Sequence, residues 1–187
     1  MATMTVMPRD SREWTVDDLD RIPDDGLQYE LLDGMLLVSP APVTKHQVVS
    51  MELTALLRAA CLPDLYVLFA PLDWRPDRRT SLQPDVLVVP KTCLDGKNIT
   101  EPLTLAVEVL SPSTRRKDLV LKRSKYEDAG VASYWVVDPE LPSVVAFELV
   151  DGHYQAVGEG RGDEKLELKQ PFPVTVIPSQ LLAPYIR

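Results

Sequence analysis

A carboxylate in the middle of an apolar run constrains this chain more than any other feature. The segment Leu103-Thr104-Leu105-Ala106-Val107-Glu108-Val109-Leu110 has the near-continuous apolar character of a strand covered on both faces. Glu108 interrupts it, and a carboxylate there is costly to desolvate unless it is paired or coordinated. Alternation along the strand puts Glu108 on the face of Ala106 and Leu110. A second run, Val86-Leu87-Val88-Val89, opens directly after Pro84-Asp85, and Tyr134-Trp135-Val136-Val137-Asp138 reads as a third buried strand. Two carboxylates at corresponding places on adjacent strands make a hard-oxygen site suited to magnesium or manganese. The plainer alternative is that Asp85 merely begins its strand and Glu108 pairs with a basic neighbour.

The segments between these strands supply helices and turns. Thr44, with Gln47 three residues on, predicts a capped helix start. Val49, Leu53, Leu56 and Ala60 then share one face up to about Cys61, before Pro63. His46 lies on that face, where a lone His serves either as a hydrogen-bonded structural residue or as a ligand. A second helix is predicted over 118–129, ending at Gly130. Leu119, Lys122, Tyr126 and Ala129 form its sheet-facing stripe. Lys122 is therefore predicted to point inward and to need an acidic partner or anionic ligand, leaving Arg123 and Lys125 to solvent. Thr15 and Asp18 mark a short helix near Trp14–Leu19.

Tyr29–Leu32, Asp33-Gly34 and Met35–Val38 form a hairpin signal, as do Val144–Val150, Asp151-Gly152 and His153–Val157. Glu30, inside the first of these, is a third candidate carboxylate or a surface residue of a half-exposed strand. Leu65–Ala70, continuing to Trp74, reads as a strand, and Arg75–Thr80 as a loop with a basic bias. The order predicts an α/β (α+β) domain: a mixed central sheet flanked by helices, with extra hairpins at both ends.

The 187 residues suffice for one domain with a proper core, expected over 13–187 behind a loose leader at 1–12. No apolar stretch approaches the roughly 18–20 residues of a membrane helix, and the leader lacks the features of a signal peptide. Cys61 and Cys93 read as ordinary thiols of a reducing cytoplasm, and with His46 and His153 they give no zinc cluster. A net charge of -8 argues against non-specific coating of nucleic acid. Yet Arg115, Arg116, Lys117, Lys122, Arg123 and Lys125 gather against Asp118 alone. That run suits a local phosphate-facing surface or a solvated helix face.

Several segments, in this order, resemble the bacterial Uma-two family of the PD-(D/E)XK nuclease superfamily. They are Tyr29-Glu30-Leu31-Leu32-Asp33-Gly34, Pro84-Asp85, Val107-Glu108-Val109-Leu110-Ser111-Pro112-Ser113-Thr114, Asp118-x-x-x-Lys122-x-x-x-Tyr126, and Gly130-Val131 followed by Tyr134-Trp135-Val136-Val137-Asp138-Pro139. The resemblance implies a restriction-endonuclease-like core with the site at one sheet edge. Asp85 then corresponds to the superfamily aspartate and Glu108 to the acidic residue of its second half-motif. The lysine expected two residues after that glutamate is replaced by Leu110. Lys122, from the next helix, could bring its ammonium into the vacated space. Glu30 and His46 are expected near the site, with Asp118 and Tyr126 in support.

The implied function is metal-dependent hydrolysis of DNA phosphodiester bonds. Mg2+ or Mn2+ would be held by Asp85, Glu108 and the backbone carbonyl of Val109. Lys122 would orient water or stabilise transition-state charge, and Glu30 would bind a second ion or hold Lys122. Arg115, Arg116, Lys117, Arg78 and Arg79 would contact DNA phosphates. The oligomeric state stays open, with a homodimer as one option, and a cytoplasmic location without a membrane partner is expected. The missing strand lysine and the acidic body leave a second reading open, a non-catalytic nuclease-fold module acting in binding or assembly. No glycine-rich phosphate loop or G-x-S-x-G elbow supports another hydrolase or transferase.

Overall fold

The computed structural model describes the backbone of residues 5–7, 13–111 and 118–185, and side chains over 13–111 and 120–185. Strand β1 (Thr5–Met7) is followed by helix α1 (Val16–Leu19), which starts where its capping box predicts. Asp18 Oδ2 accepts from the Thr15 amide at 3.1 Å and the Thr15 hydroxyl at 2.8 Å. The hairpin of β2 (Gln28–Leu32) and β3 (Met35–Ser39) turns at Asp33 and Gly34, both at positive φ, as a tight Asp-Gly turn requires.

Helix α2 (Thr44–Ala60) has the predicted extent but a different start. Its N-cap is Val43, Thr44 is its first helical residue, and no side-chain capping bond is made. Packing holds the helix instead: His46, Val49, Leu53, Thr54 and Leu57 are buried, and Leu56 and Ala60 pack, partly buried, against the same core. Burial of Val49, Leu53 and Leu57 contributes about 1.5–3 kcal/mol each.

Strand β4 (Leu65–Phe69) does not continue to Trp74. The chain leaves that sheet, and Arg75–Thr80, expected as a loop, lies within a hairpin of β5 (Trp74–Asp77) and β6 (Thr80–Leu82). Trp74, fully buried, anchors it. The strands β7 (Val86–Pro90), β8 (Leu105–Val109) and β9 (Ser133–Asp138) follow, with the chain from β8 to β9 passing through a π-helical turn (Asp118–Lys122) and helix α3 (Arg123–Asp128). The single helix expected over 118–129 is thus a π turn joined to a short α-helix. A long hairpin, β10 (Ser143–Val150) and β11 (His153–Arg161), and the pair β12 (Leu166–Leu168) and β13 (Val174–Val176) complete the strands. A 3-10 turn at Pro178–Leu182 closes on the core.

The central sheet has six strands in the order β11-β10-β9-β8-β7-β4. It is mixed, because β8 and β9 are parallel while its other pairs are antiparallel. A second sheet runs β1-β3-β2-β6-β5. All five residues of β8 and all six of β9 are buried, as expected for strands covered on both faces. Val86, Val88, Leu105, Val107 and Val109 pack with the α2 stripe. Leu87, Val89, Ala106 and Leu110 pack with Trp74, Tyr126 and Tyr134 on the α3 side. No helix of the described residues is long and apolar enough to cross a membrane.

Candidate active site

The site forms where β7 begins and β8 ends. Val86 stands opposite Val107, so one further step along the antiparallel register sets Asp85 beside Glu108. Glu108 shares the parity of Ala106 and Leu110 and so belongs to the α3 face, where it is 2% exposed. Two groups reach it there. The Tyr126 hydroxyl donates to Glu108 Oε1 at 2.7 Å, and Lys122 Nζ lies 3.3 and 3.2 Å from Oε1 and Oε2. Lys122 Nζ also lies 2.9 Å from Oε1 of Glu30, a buried residue of β2 in the second sheet. Glu30 Oε1 in turn accepts from the main-chain amide of Gln83 at 2.8 Å.

Lys122 therefore points inward, as its helical position predicts, and Glu30 is not a surface residue. One ammonium faces two carboxylates in this buried trio. Tyr126 is suited to remain a donor. Its burial, and then the charge and hydrogen bond of Glu108, push its hydroxyl pKa well above the ordinary tyrosine value.

Asp85 is held differently. Its Oδ2 accepts from the Val109 amide at 2.7 Å and lies 3.2 Å from His46 Nε2, which reaches in from α2 on the other side of the sheet. The Asp85 side chain keeps 17% of its exposure, against 3% for Glu108. The site opens at Asp85 and is closed at Glu108.

Among the described residues, no three His, Cys, Asp or Glu side chains are grouped so as to hold a metal ion. The donor chemistry nonetheless fits a hard divalent cation. Asp85, Glu108 and Glu30 supply carboxylate oxygens, the hard donors such an ion prefers. In a strand the amide and carbonyl of one residue face the same neighbour, so the Val109 carbonyl shares the edge on which its amide meets Asp85. Asp85, Glu108 and this carbonyl are the oxygens available, once Glu108 exchanges part of its side-chain partnership.

The family model Uma2, described as "Putative restriction endonuclease", matches residues 16–180. The chain belongs to the Uma2 family. Its fold is similar to that of a crystal structure described as "a putative nuclease belonging to DUF820 from Anabaena variabilis ATCC 29413". That similarity has a TM-score of 0.73 at 15% identity, over 91% of this chain and 98% of that one. At such identity it bears on fold alone, and it agrees with the mixed-sheet, restriction-endonuclease-like core expected from the sequence. No curated protein matches the chain.

In this Uma2 chain the other expected site residues are placed less centrally. Arg78 pairs with Asp17, and Arg79 bonds Glu13 and the Asp33 carbonyl at 2.7 and 2.8 Å, with both arginines largely exposed. Arg115, Arg116 and Lys117 lie outside the described residues, as does the side chain of Asp118. Arg123 and Lys125 do not simply extend into solvent. Arg123 lies over the Phe147 ring at 4.3 Å. Lys125 Nζ bridges Asp33 at 2.7 Å and Asp77 at 2.9 Å, tying α3 to the two hairpins of the second sheet. Burial opposes the charge on Lys125, but bonds to Asp33 and Asp77 outweigh it and raise the pKa. Asp77 is correspondingly held below the usual carboxylate range: burial raises its pKa, and the bonds from Lys125 and the Arg79 amide more than reverse this.

Gln83 is the site residue that sequence reasoning missed. It acts through its main-chain amide, which no side-chain pattern reveals, and adjacency to Pro84-Asp85 was the one available signal. Its side-chain amide donates to Asp73 Oδ1 at 2.8 Å, and Asp73 is bonded to Arg75, which also grips Asp20. A polar network thereby fixes the strand segment that holds Glu30.

Proposed function

We propose that this Uma2 member is a divalent-metal-dependent endonuclease that hydrolyses DNA phosphodiester bonds at the Asp85–Glu108 end of β7 and β8. The observation that carries this reading is the inward ammonium of Lys122, held between Glu30 and Glu108, with the partly open Asp85 opposite Glu108 in the strand register. Such a buried ionic cluster contributes little net stability compared with apolar packing, so chemistry explains it better than architecture.

Asp85, Glu108 and the Val109 carbonyl hold Mg2+ or Mn2+. When bound, such an ion polarises the phosphate and lowers the pKa of its water. Lys122 supplies positive charge where a phosphorane-like transition state develops negative charge. It does so in place of the strand lysine, whose position is taken by the buried Leu110. Glu30, fixed by the Gln83 amide, aims the Lys122 head-group, and Tyr126 orients Glu108. DNA approaches on the Asp85 side. Arg78, Arg79, Arg115, Arg116 and Lys117 contact its phosphates without specifying sequence.

Incubation of the purified protein with supercoiled and linear DNA in Mn2+ tests this. The intact protein is expected to cleave, and Asp85→Ala and Glu108→Gln are expected not to. Equal activity in all three overturns the assignment. One observation favours a non-catalytic binding module instead: Lys122 and Tyr126 already engage both Glu108 oxygens. That reading requires DNA binding or assembly with no cleavage in any divalent ion.

A further inference from the structure

We propose that Lys122 is the resident cation of the metal site and gives up Glu108 while keeping Glu30 when a divalent ion binds. The inference rests on the metal-dependent reading above and assigns how that site is occupied and emptied. Both oxygens of Glu108 are engaged, Oε1 by the Tyr126 hydroxyl and by Lys122, and Oε2 by Lys122. A divalent ion on Glu108 must take an oxygen that Lys122 now holds, and two cations sharing one carboxylate repel each other.

The structure supplies the alternative berth. Lys122 Nζ is closer to Glu30, at 2.9 Å, than to either oxygen of Glu108. Glu30 is itself fixed by the Gln83 amide, so it stays in place as the ammonium shifts. Lys122 ends a π-helical turn, a local departure from regular helix of the kind that often marks functional sites. Glu30 is then the holder of the displaced lysine and not a ligand of a second ion.

Calorimetric titration of Mn2+ into the native protein, Lys122→Met and the double variant Glu30→Gln/Lys122→Met tests this without relying on cleavage. The double variant keeps the net charge of the native trio, and it avoids the stranded second carboxylate that could prevent Lys122→Met from folding. Both variants are expected to bind Mn2+ about tenfold more tightly than the native protein, the equivalent of one charge-assisted hydrogen bond no longer surrendered. Native affinity in the double variant, whatever Lys122→Met does, overturns the displacement, since charge alone then accounts for any gain. The nuclease reading survives that result if the native protein binds Mn2+ and cleaves in an Asp85-dependent way. Absence of Mn2+ binding in the native protein overturns both.

Discussion

Asp85 and Glu108 stand side by side across β7 and β8, yet they are held in opposite ways. Glu108 is closed in by Lys122 of the π turn and Tyr126 of α3, and Lys122 is held in turn by Glu30 of the second sheet, so its position depends on several elements packing together. Asp85 is partly open and takes its firmest bond from a main-chain amide of the neighbouring strand. The difference separates two roles within one site. Changes around Glu108 should register first as lost stability, and changes at Asp85 first as lost function.

Lys122→Met should break that comparison most severely. It removes the ammonium that Glu30 and Glu108 share, at an expected cost of about 3–5 kcal/mol, read from the urea midpoint. A near-native midpoint would show that the two carboxylates do not depend on Lys122. Tyr126→Phe comes next, at about 1.5–3 kcal/mol for a lost bond to a charged group. It also has a pH signature. Because the Tyr126 pKa is raised, the folded protein keeps a proton that the unfolded chain loses above about pH 10. The associated stability is whole below that pH and is lost as pH rises toward the folded value. Unfolding measured from pH 8 to 11 should show a flatter alkaline decline in Tyr126→Phe, and parallel declines would contradict the assignment.

Asp85→Asn should cost only about 1 kcal/mol, since the amide oxygen can still accept from Val109, while abolishing metal-dependent cleavage. A stability loss matching that of Lys122→Met would erase the contrast between the two carboxylates. Lys125→Met should be mildest, at about 1 kcal/mol or less, because Asp33 and Asp77 are roughly half exposed. The Asp77 pKa is lowered, so its contribution is present above the unfolded carboxylate pKa and disappears as pH falls through the folded value. The effect of this substitution should therefore shrink in acid and in high salt.

The sequence made Glu108 legible because an apolar strand cannot hide a carboxylate cheaply, and Lys122 legible because helical spacing put it on an apolar stripe. The buried strands and the Asp-Gly hairpins were equally plain, each being encoded within a few residues. What was illegible depends on contacts distant in sequence. Arg75–Thr80 has the polarity of a loop, and Trp74 burial with pairing to β2 makes it a hairpin. Thr44 has the composition of a cap, yet Val43 takes that position because the α2 stripe sets the helix. His46 was placed on the right face, but its meeting with Asp85 requires α2 and β7 to be packed together. Gln83 left no trace, since its amide is chemically like any other.

Anomalous scattering from crystals of the native protein grown with Mn2+ tests the metal assignment most directly. The expected result is a peak within coordination distance of carboxylate oxygens from both Asp85 and Glu108, on the edge carrying the Val109 carbonyl. A peak elsewhere, or none at the Mn2+ concentration that supports cleavage, would contradict the assignment of this acidic pair as the metal site of a nuclease.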